Sequence, residues 1–163
     1  MKKHNKCLLL DRDGVINHDP GDYTCSLEEF IILPGVTAAI KCAKEKGYKI
    51  AIITNQAGIA KGLYTHETVK EIHDYLMSEC QKNGGHIDAI FYSPHHPDHG
   101  NSLSRKPGCL LVQRALALLD GDAAQSIMIG DRDRDIEAAN AAGVNGILME
   151  KNGDLLSYVK SLP

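Results

Sequence analysis

Short apolar runs alternate with amphipathic stretches from one end of the chain to the other, and neither a low-complexity linker nor a repeat interrupts them. Cys7–Leu10, Ile50–Thr54, Ile87–Tyr92, Ser126–Gly130 and Gly146–Met149 read as five strands, the second rich in β-branched residues and bounded by Gly47 and Asn55. Val36, Ala39, Ile40 and Ala43 recur at helical spacing, and Gly47 is placed to stop that helix. Thr65 is the N-cap signal of a second helix, with Glu67 in its first turn and an apolar stripe of Val69, Ile72, Leu76 and Cys80. Leu111–Leu119, Ile136–Ala142 and Leu155–Leu162 predict three more helices. The pattern predicts an α/β fold: a three-layer, Rossmann-like parallel sheet with right-handed connections and helices on both faces, forming one domain over residues 1–163.

Parallel sheets of this kind open their ligand crevice beyond the carboxyl ends of the strands. Here those ends are polar. Strand one runs into Asp11-Arg12-Asp13-Gly14, strand two into Thr54-Asn55-Gln56, strand three into Ser93-Pro94-His95-His96 and strand four into Gly130-Asp131-Arg132-Asp133. Asp11 and Asp13 share a direction because alternate side chains of an extended chain do, and Gly14 permits a tight turn after them. One such carboxylate can attack phosphorus as a nucleophile while its neighbour protonates the leaving oxygen and then activates water. Close carboxylates repel and call for a cation; Mg²⁺ takes oxygen ligands of this type, with Asp131 completing the set. Thr54, Asn55 and Lys106 supply a hydroxyl, an amide and a fixed positive charge for phosphate oxygens. Each feature alone reads as a polar turn; their joint placement at strand ends carries the functional reading.

Eighteen Lys and Arg against twenty-one Asp and Glu give a net charge of -3, so no basic field gathers nucleic acid. No apolar run is long enough for a membrane helix. The basic opening MKKHNKCLLLD has too short an apolar run for a secretory signal, which points to a cytoplasmic protein. Five scattered cysteines (Cys7, Cys25, Cys42, Cys80, Cys109) read as small apolar residues rather than a disulfide framework or a cysteine metal site. His95, His96 and His99 lack the spacing of a known metal geometry, and His18, His66, His73 and His86 read as surface or partly buried residues. The expected partner is a small-molecule phosphate ester, bound by a monomer without nucleic acid or membrane.

Asp11-Arg12-Asp13-Gly14-Val15, Thr54-Asn55-Gln56, Arg105-Lys106-Pro107 and Gly130-Asp131-Arg132-Asp133-Arg134-Asp135 together resemble the four ordered motifs of the haloacid dehalogenase-like phosphatases, across essentially the whole chain. The resemblance implies Asp11 as nucleophile, Asp13 as general acid and base, Thr54 and Lys106 as phosphate stabilisers, and a magnesium ion held by Asp11, Asp131 and the backbone carbonyl of Asp13. Asp135 matches a further acidic position and is kept as an outer candidate. Finer likeness in Asn17-His18-Asp19-Pro20-Gly21, Tyr23, the run Asn55–Gly62 and Pro94-His95-His96-Pro97 points to the branch that dephosphorylates heptose 1,7-bisphosphate. Gly130-Asp131-Arg132 with Asp135 is similar to its near relatives that act on histidinol phosphate.

Members of that branch commonly carry a structural zinc on cysteines whose positions here are Ser93, Ser102 and Ser104, leaving only His95 as a possible ligand; serine hydroxyls are poor zinc ligands, so no zinc is expected. The loop Ser93–Pro107 must then be held by other contacts, Pro94, Pro97 and Pro107 among them, or else be mobile. The spacings leave no room for a large cap domain, so selectivity is expected from Asp19, Gly21, Tyr23, Asn55 and Gln56, with Arg105 gripping a second anionic group and Arg132 assisting. A phosphorylatable receiver domain would place its acceptor Asp on a later central strand, where this chain has Ser93, and a non-catalytic descendant would have lost one of the acidic residues present here.

Overall fold

The computed structural model describes residues 4–163. Its elements follow the order β1 (Cys7–Leu10), α1 (Val36–Glu45), β2 (Lys49–Asn55), α2 (His66–Lys82), β3 (Ala89–Ser93), α3 (Leu110–Leu118), β4 (Ile127–Gly130), α4 (Asp133–Ala141), β5 (Asn145–Leu148) and α5 (Leu155–Ser161). All five strands are parallel, in the order β3-β2-β1-β4-β5. β1 therefore sits in the middle, with Leu8 opposite Ile50 on one side and Ile127 on the other.

Side-chain alternation sorts the core into two halves. Leu8, Leu10, Ile50 and Ile52 pack under α1, α2 and α5, through Val36, Ile40, Ile72, Leu76 and Val159. Cys7, Leu9, Ala51 and Ile53 face the other way, onto Leu111, Val112 and Ala115 of α3 and Ala138 and Ala139 of α4. Helices thus cover both faces, and every strand that is buried on both sides reads as a continuous apolar run. Among the described residues the connections 11–35 and 56–65 carry no folded unit large enough to be a cap.

Thr65 caps α2 by accepting from the Thr68 amide, and α1 ends ahead of Gly47, which has φ +86. Most boundaries differ from the sequence reading by one residue, and the starts of β3 and α4 by more. β3 starts at Ala89 rather than Ile87 because the Asp88 carboxylate itself takes the Ile50 amide, at 2.8 Å, before the ladder begins. β5 starts and ends one residue earlier than expected. α4 begins at Asp133, three residues early, because the Asp135 carboxylate accepts from the Arg132 amide at 3.1 Å and so caps a first turn made entirely of charged residues.

Ile52 is fully buried on β2 between β1 and β3. Ile52→Ala should lower unfolding stability in urea by about 2–5 kcal/mol, the usual cost of a core truncation that leaves a cavity. A loss below about 1 kcal/mol would show that this part of the core repacks freely.

Candidate active site

The crevice lies at the carboxyl ends of β1, β2 and β4, where the strand order reverses around β1. Asp11 follows β1 directly, and its amide donates to the Ile129 carbonyl of β4 at 3.0 Å, fixing the backbone. Lys106, 1% exposed, reaches in from the loop before α3. Its ammonium lies 2.8 Å from Asp11 Oδ1, 2.7 Å from Asp135 Oδ1 and 2.7 Å from the Ile53 carbonyl. Two of its three hydrogens are donated within the protein, to Asp11 and Ile53, and Asp135 faces it as an ion pair. Asn55 holds the Lys106 backbone reciprocally, Oδ1 accepting from its amide at 3.0 Å and Nδ2 donating to its carbonyl at 3.1 Å. The amide expected to meet the substrate is thus mostly engaged in placing the lysine.

Asp11, Asp131 and Asp135 each present an oxygen within 4.8 Å of the others. Both Asp131 oxygens are buried without a hydrogen-bond partner; Arg132 Nε, 3.4 Å from Oδ2, forms only an ion pair. Gly14, at φ +85, makes room for this carboxylate: a Cβ there would lie 2.4 Å from Asp131 Oδ2. Burial, together with the charge of Asp135, pushes Asp11 up to about 7 against the opposing pull of Lys106. Burial and Asp135 push Asp131 up as well. Three carboxylates against Lys106 and the half-exposed Arg132 still carry surplus negative charge, and both Asp131 oxygens are left bare. This donor set fits a hard divalent cation. Asp135, rather than the Asp13 carboxylate, completes the acidic cluster, so a metal contact from Asp13 is left to its backbone carbonyl.

Asp13 faces a separate set of donors. Oδ1 accepts from Arg12 Nε (3.3 Å), Arg12 Nη2 (2.9 Å) and Asn17 Nδ2 (2.9 Å), and Oδ2 accepts from Gln56 Nε2 at 2.8 Å. Burial opposes ionisation, but the Arg12 charge and the Asn17, Arg12 and Gln56 hydrogen bonds outweigh it, so the carboxyl sits below its ordinary value. Arg12 is 1% exposed, lies 5.5 Å from the Phe30 ring centroid and has its Nη1 3.3 Å from His73 Nε2. Guanidinium only donates, so that nitrogen of His73 accepts and the ring is neutral. Burial and the Arg12 charge push the imidazole down to about 3. Neither Arg12 nor His73 stood out as functional in the sequence; the only cue was Arg12 lying between two acids.

A cleft of about 270 Å³ opens above Asp13, lined by Asp19, Gly21, Tyr23, Gln56, Arg132 and Arg134 among others. Asp19 pairs with Arg132 at 3.2 Å and Lys151 at 3.4 Å, and the Gly21 amide donates to its Oδ1 at 2.7 Å. Arg134 Nε is buried with no hydrogen-bond partner, a free donor the sequence reading did not single out. Two expected substrate contacts are placed differently. Gln56 is 2% exposed, with both Nε2 hydrogens taken by Asp13 Oδ2 (2.8 Å) and Thr54 Oγ1 (2.9 Å), so its amide offers substrate no donor. Arg105 donates to the His95 carbonyl at 3.1 Å and lines a neighbouring cleft with Lys106 and Pro107 instead of the main one.

The loop between β3 and α3 is held by a chain of hydroxyls. Ser93 Oγ lies 2.9 Å from Ser104 Oγ, which lies 2.8 Å from Ser102 Oγ, and the Ser104 amide donates to Ser102 at 3.2 Å. Among the described residues the one set of side chains grouped to hold a metal is Asp11, Asp131 and Asp135, and His95 belongs to no such group.

Residues 103–155 match the family described as HAD-hydrolase-like. The chain is 36% identical over 151 residues to the D-glycero-alpha-D-manno-heptose-1,7-bisphosphate 7-phosphatase of Burkholderia mallei, covering 89% of this chain and 79% of that one. It is 39% identical over 155 residues to the D-glycero-D-manno-heptose-1,7-bisphosphate 7-phosphatase of Chlorobaculum tepidum, covering 88% and 78%. Among solved structures, the D,D-heptose 1,7-bisphosphate phosphatase from B. bronchiseptica, complexed with magnesium and phosphate, superposes with a TM-score of 0.85 at 36% identity, covering 97% of this chain and 88% of that one. A putative HAD-like phosphatase from Mesorhizobium loti gives a TM-score of 0.83 at 25% identity, covering 99% and 88%.

His73, ordinarily near 6.5, binds its proton only near pH 3 in the folded chain. The unfolded chain therefore holds the extra proton between those values, and stability falls as the pH drops through that window, by up to about 1.4 kcal/mol per pH unit. His73→Gln, which keeps an acceptor for Arg12, should remove that much slope from urea stability measured at pH 6, 5 and 4. Equal slopes in the two proteins would contradict the burial of a neutral imidazole.

Proposed function

The chain belongs to the haloacid dehalogenase-like phosphatases and is a phosphoric monoester hydrolase, and on that premise we propose that it removes the 7-phosphate of D-glycero-D-manno-heptose 1,7-bisphosphate through a phosphoaspartate at Asp11. The observation that carries the chemistry is the Lys106 ammonium set between Asp11 and Asp135, beside an Asp131 whose buried oxygens accept no hydrogen bond. The substrate follows the relatives named for that activity, which the chain matches over most of its length. Among the described residues no helix is long and apolar enough to cross a membrane. We place the enzyme in the cytoplasm, acting as a monomer.

Lys106 fixes Asp11 by one oxygen and keeps a carboxylate buried next to phosphorus. An Asp11 oxygen attacks phosphorus, and the bond from phosphorus to the sugar oxygen breaks. Asp13 gives a proton to that oxygen, then takes one from the water that attacks the phosphoaspartate, and inorganic phosphate leaves. The depressed carboxyl of Asp13 suits the second half; for the first, the proton arrives with the phosphate monoester. Thr54 accepts from Gln56 and donates only a long hydrogen bond, 3.4 Å, to the Asn55 carbonyl, which its hydrogen can leave for a phosphate oxygen. Asp11, Asp131 and the Asp13 carbonyl would hold magnesium, which supplies charge neutralisation for the acidic cluster and the transferring phosphoryl oxygens. The phosphate that stays on the sugar meets Arg132 and the unpartnered Arg134 across the main cleft.

Stripping divalent cations should abolish turnover and Mg²⁺ should restore it, while elemental analysis of the purified protein finds no stoichiometric zinc. Retained activity after chelation, or one tightly bound zinc per chain, would contradict this assignment. The ratio of kcat/KM for the heptose bisphosphate to that for histidinol phosphate should lie far above one, since it reports differential transition-state binding. A ratio far below one would transfer the enzyme to the second substrate while leaving the chemistry in place.

A further inference from the structure

Beneath the main cleft, Tyr64 stands just before α2, 8% exposed, and its hydroxyl donates to Gln56 Oε1 at 2.6 Å. From the other end of the same amide, Nε2 donates to Asp13 Oδ2 at 2.8 Å and Thr54 Oγ1 at 2.9 Å. The direction of this chain follows by elimination. An ionised carboxylate only accepts, so Nε2 must face Asp13; Oε1 then faces Tyr64, and the phenol must donate. Burial keeps the proton on that phenol by pushing it up to about 12. With the amide reversed, Oε1 would confront the Asp13 carboxylate, and Thr54 would have to donate inward, losing the hydrogen it can offer phosphate.

The backbone is cut away to seat the ring. A Cβ on Gly58 would lie 2.1 Å from Tyr64 Cε1 and 2.6 Å from Cζ, a clash that a packed aromatic ring cannot relieve by bending. Gly58 has no positive φ, so space alone explains its lack of a side chain.

We propose that Tyr64 is a positioning residue for catalysis: its hydroxyl, seated over Gly58, anchors the Gln56 amide at Oε1 and thereby holds Asp13 Oδ2 in working orientation. This rests on Asp13 being the group that protonates the leaving oxygen. Without the phenol, Gln56 Oε1 is buried with no partner, so the amide loses its anchor and its hold on Asp13 Oδ2 loosens. The consequence depends on the ester. As the phosphorus–oxygen bond breaks, its electrons pass to the leaving oxygen; a sugar alkoxide needs the Asp13 proton at that moment, whereas 4-nitrophenolate departs without it.

The test measures kcat/KM, which reports the phosphorylation of Asp11, for heptose bisphosphate and for 4-nitrophenyl phosphate in the wild type, Tyr64→Phe, Gly58→Ala and the double variant. Tyr64→Phe should lose about tenfold on the sugar ester and stay within about twofold on the nitrophenyl ester. Gly58→Ala should show the same ester-dependent loss, and the double variant no more than the larger single one, because both act through one ring. Equal losses on the two esters, or no loss in Tyr64→Phe, would overturn the proposal. Asp13→Asn separates the two levels: it should lose far more on the sugar ester, and an equal loss on both would instead overturn the acid role of Asp13 on which the proposal rests.

Discussion

One buried ammonium organises this protein. Lys106 has left water almost completely, a step that costs several kcal/mol unless partners replace the lost hydration. Its partners come from three parts of the chain: Asp11 after β1, the Ile53 carbonyl of β2 and Asp135 on the first turn of α4. Asn55 fastens its backbone to the end of β2. Removing any of these leaves a buried charge short of a partner, so the strand ends, the helix start and the loop before α3 are positioned together. The same ion pairing is incomplete: Asp11 and Asp135 share Lys106, Asp131 has only the half-exposed Arg132, and the remaining negative charge suits the cluster to a divalent cation.

The second constraint is the contrast between two carboxylates that are nearly adjacent in sequence. Burial and Asp135 raise Asp11, while the Arg12 fork, Asn17 and Gln56 lower Asp13. The separation comes from burial and Asp135 on one side, which outweigh the pull of Lys106 on Asp11, and from Arg12 with its hydrogen-bonding neighbours on the other. His73 completes the second arrangement by accepting from Arg12 as a neutral ring, and Tyr64 completes it from the other side through Gln56.

The sheet was legible because its strands are continuous apolar runs and its helices repeat at their own period; Thr65 and Gly47 marked helix ends by chemistry that is local. Asp11, Thr54, Lys106 and Asp131 were legible as a group because parallel strands deliver their ends to one crevice. What escaped was set by side-chain reach. Asp135, only an outer candidate from the sequence, lies on a helix start within a charged run, and its burial against Lys106 brings it into the cluster. Asn55 and Gln56 are polar residues at a crevice, which reads as substrate contact, yet their amides turn inward to hold Lys106 and Asp13. Arg105 directly precedes the buried lysine but points to the other side of it. The serines at 93, 102 and 104 were read only as missing ligands, whereas close packing makes them a hydrogen-bonded brace.

We propose that Asp11, one of the two carboxylates paired with Lys106, receives the phosphoryl group. Protein quenched in acid during turnover and reduced with borohydride converts a phosphoaspartate to homoserine, which peptide mass spectrometry locates. Homoserine at position 11 is the predicted result; reduction at Asp13 or Asp131 instead, or at no aspartate while substrate is being consumed, would contradict the account.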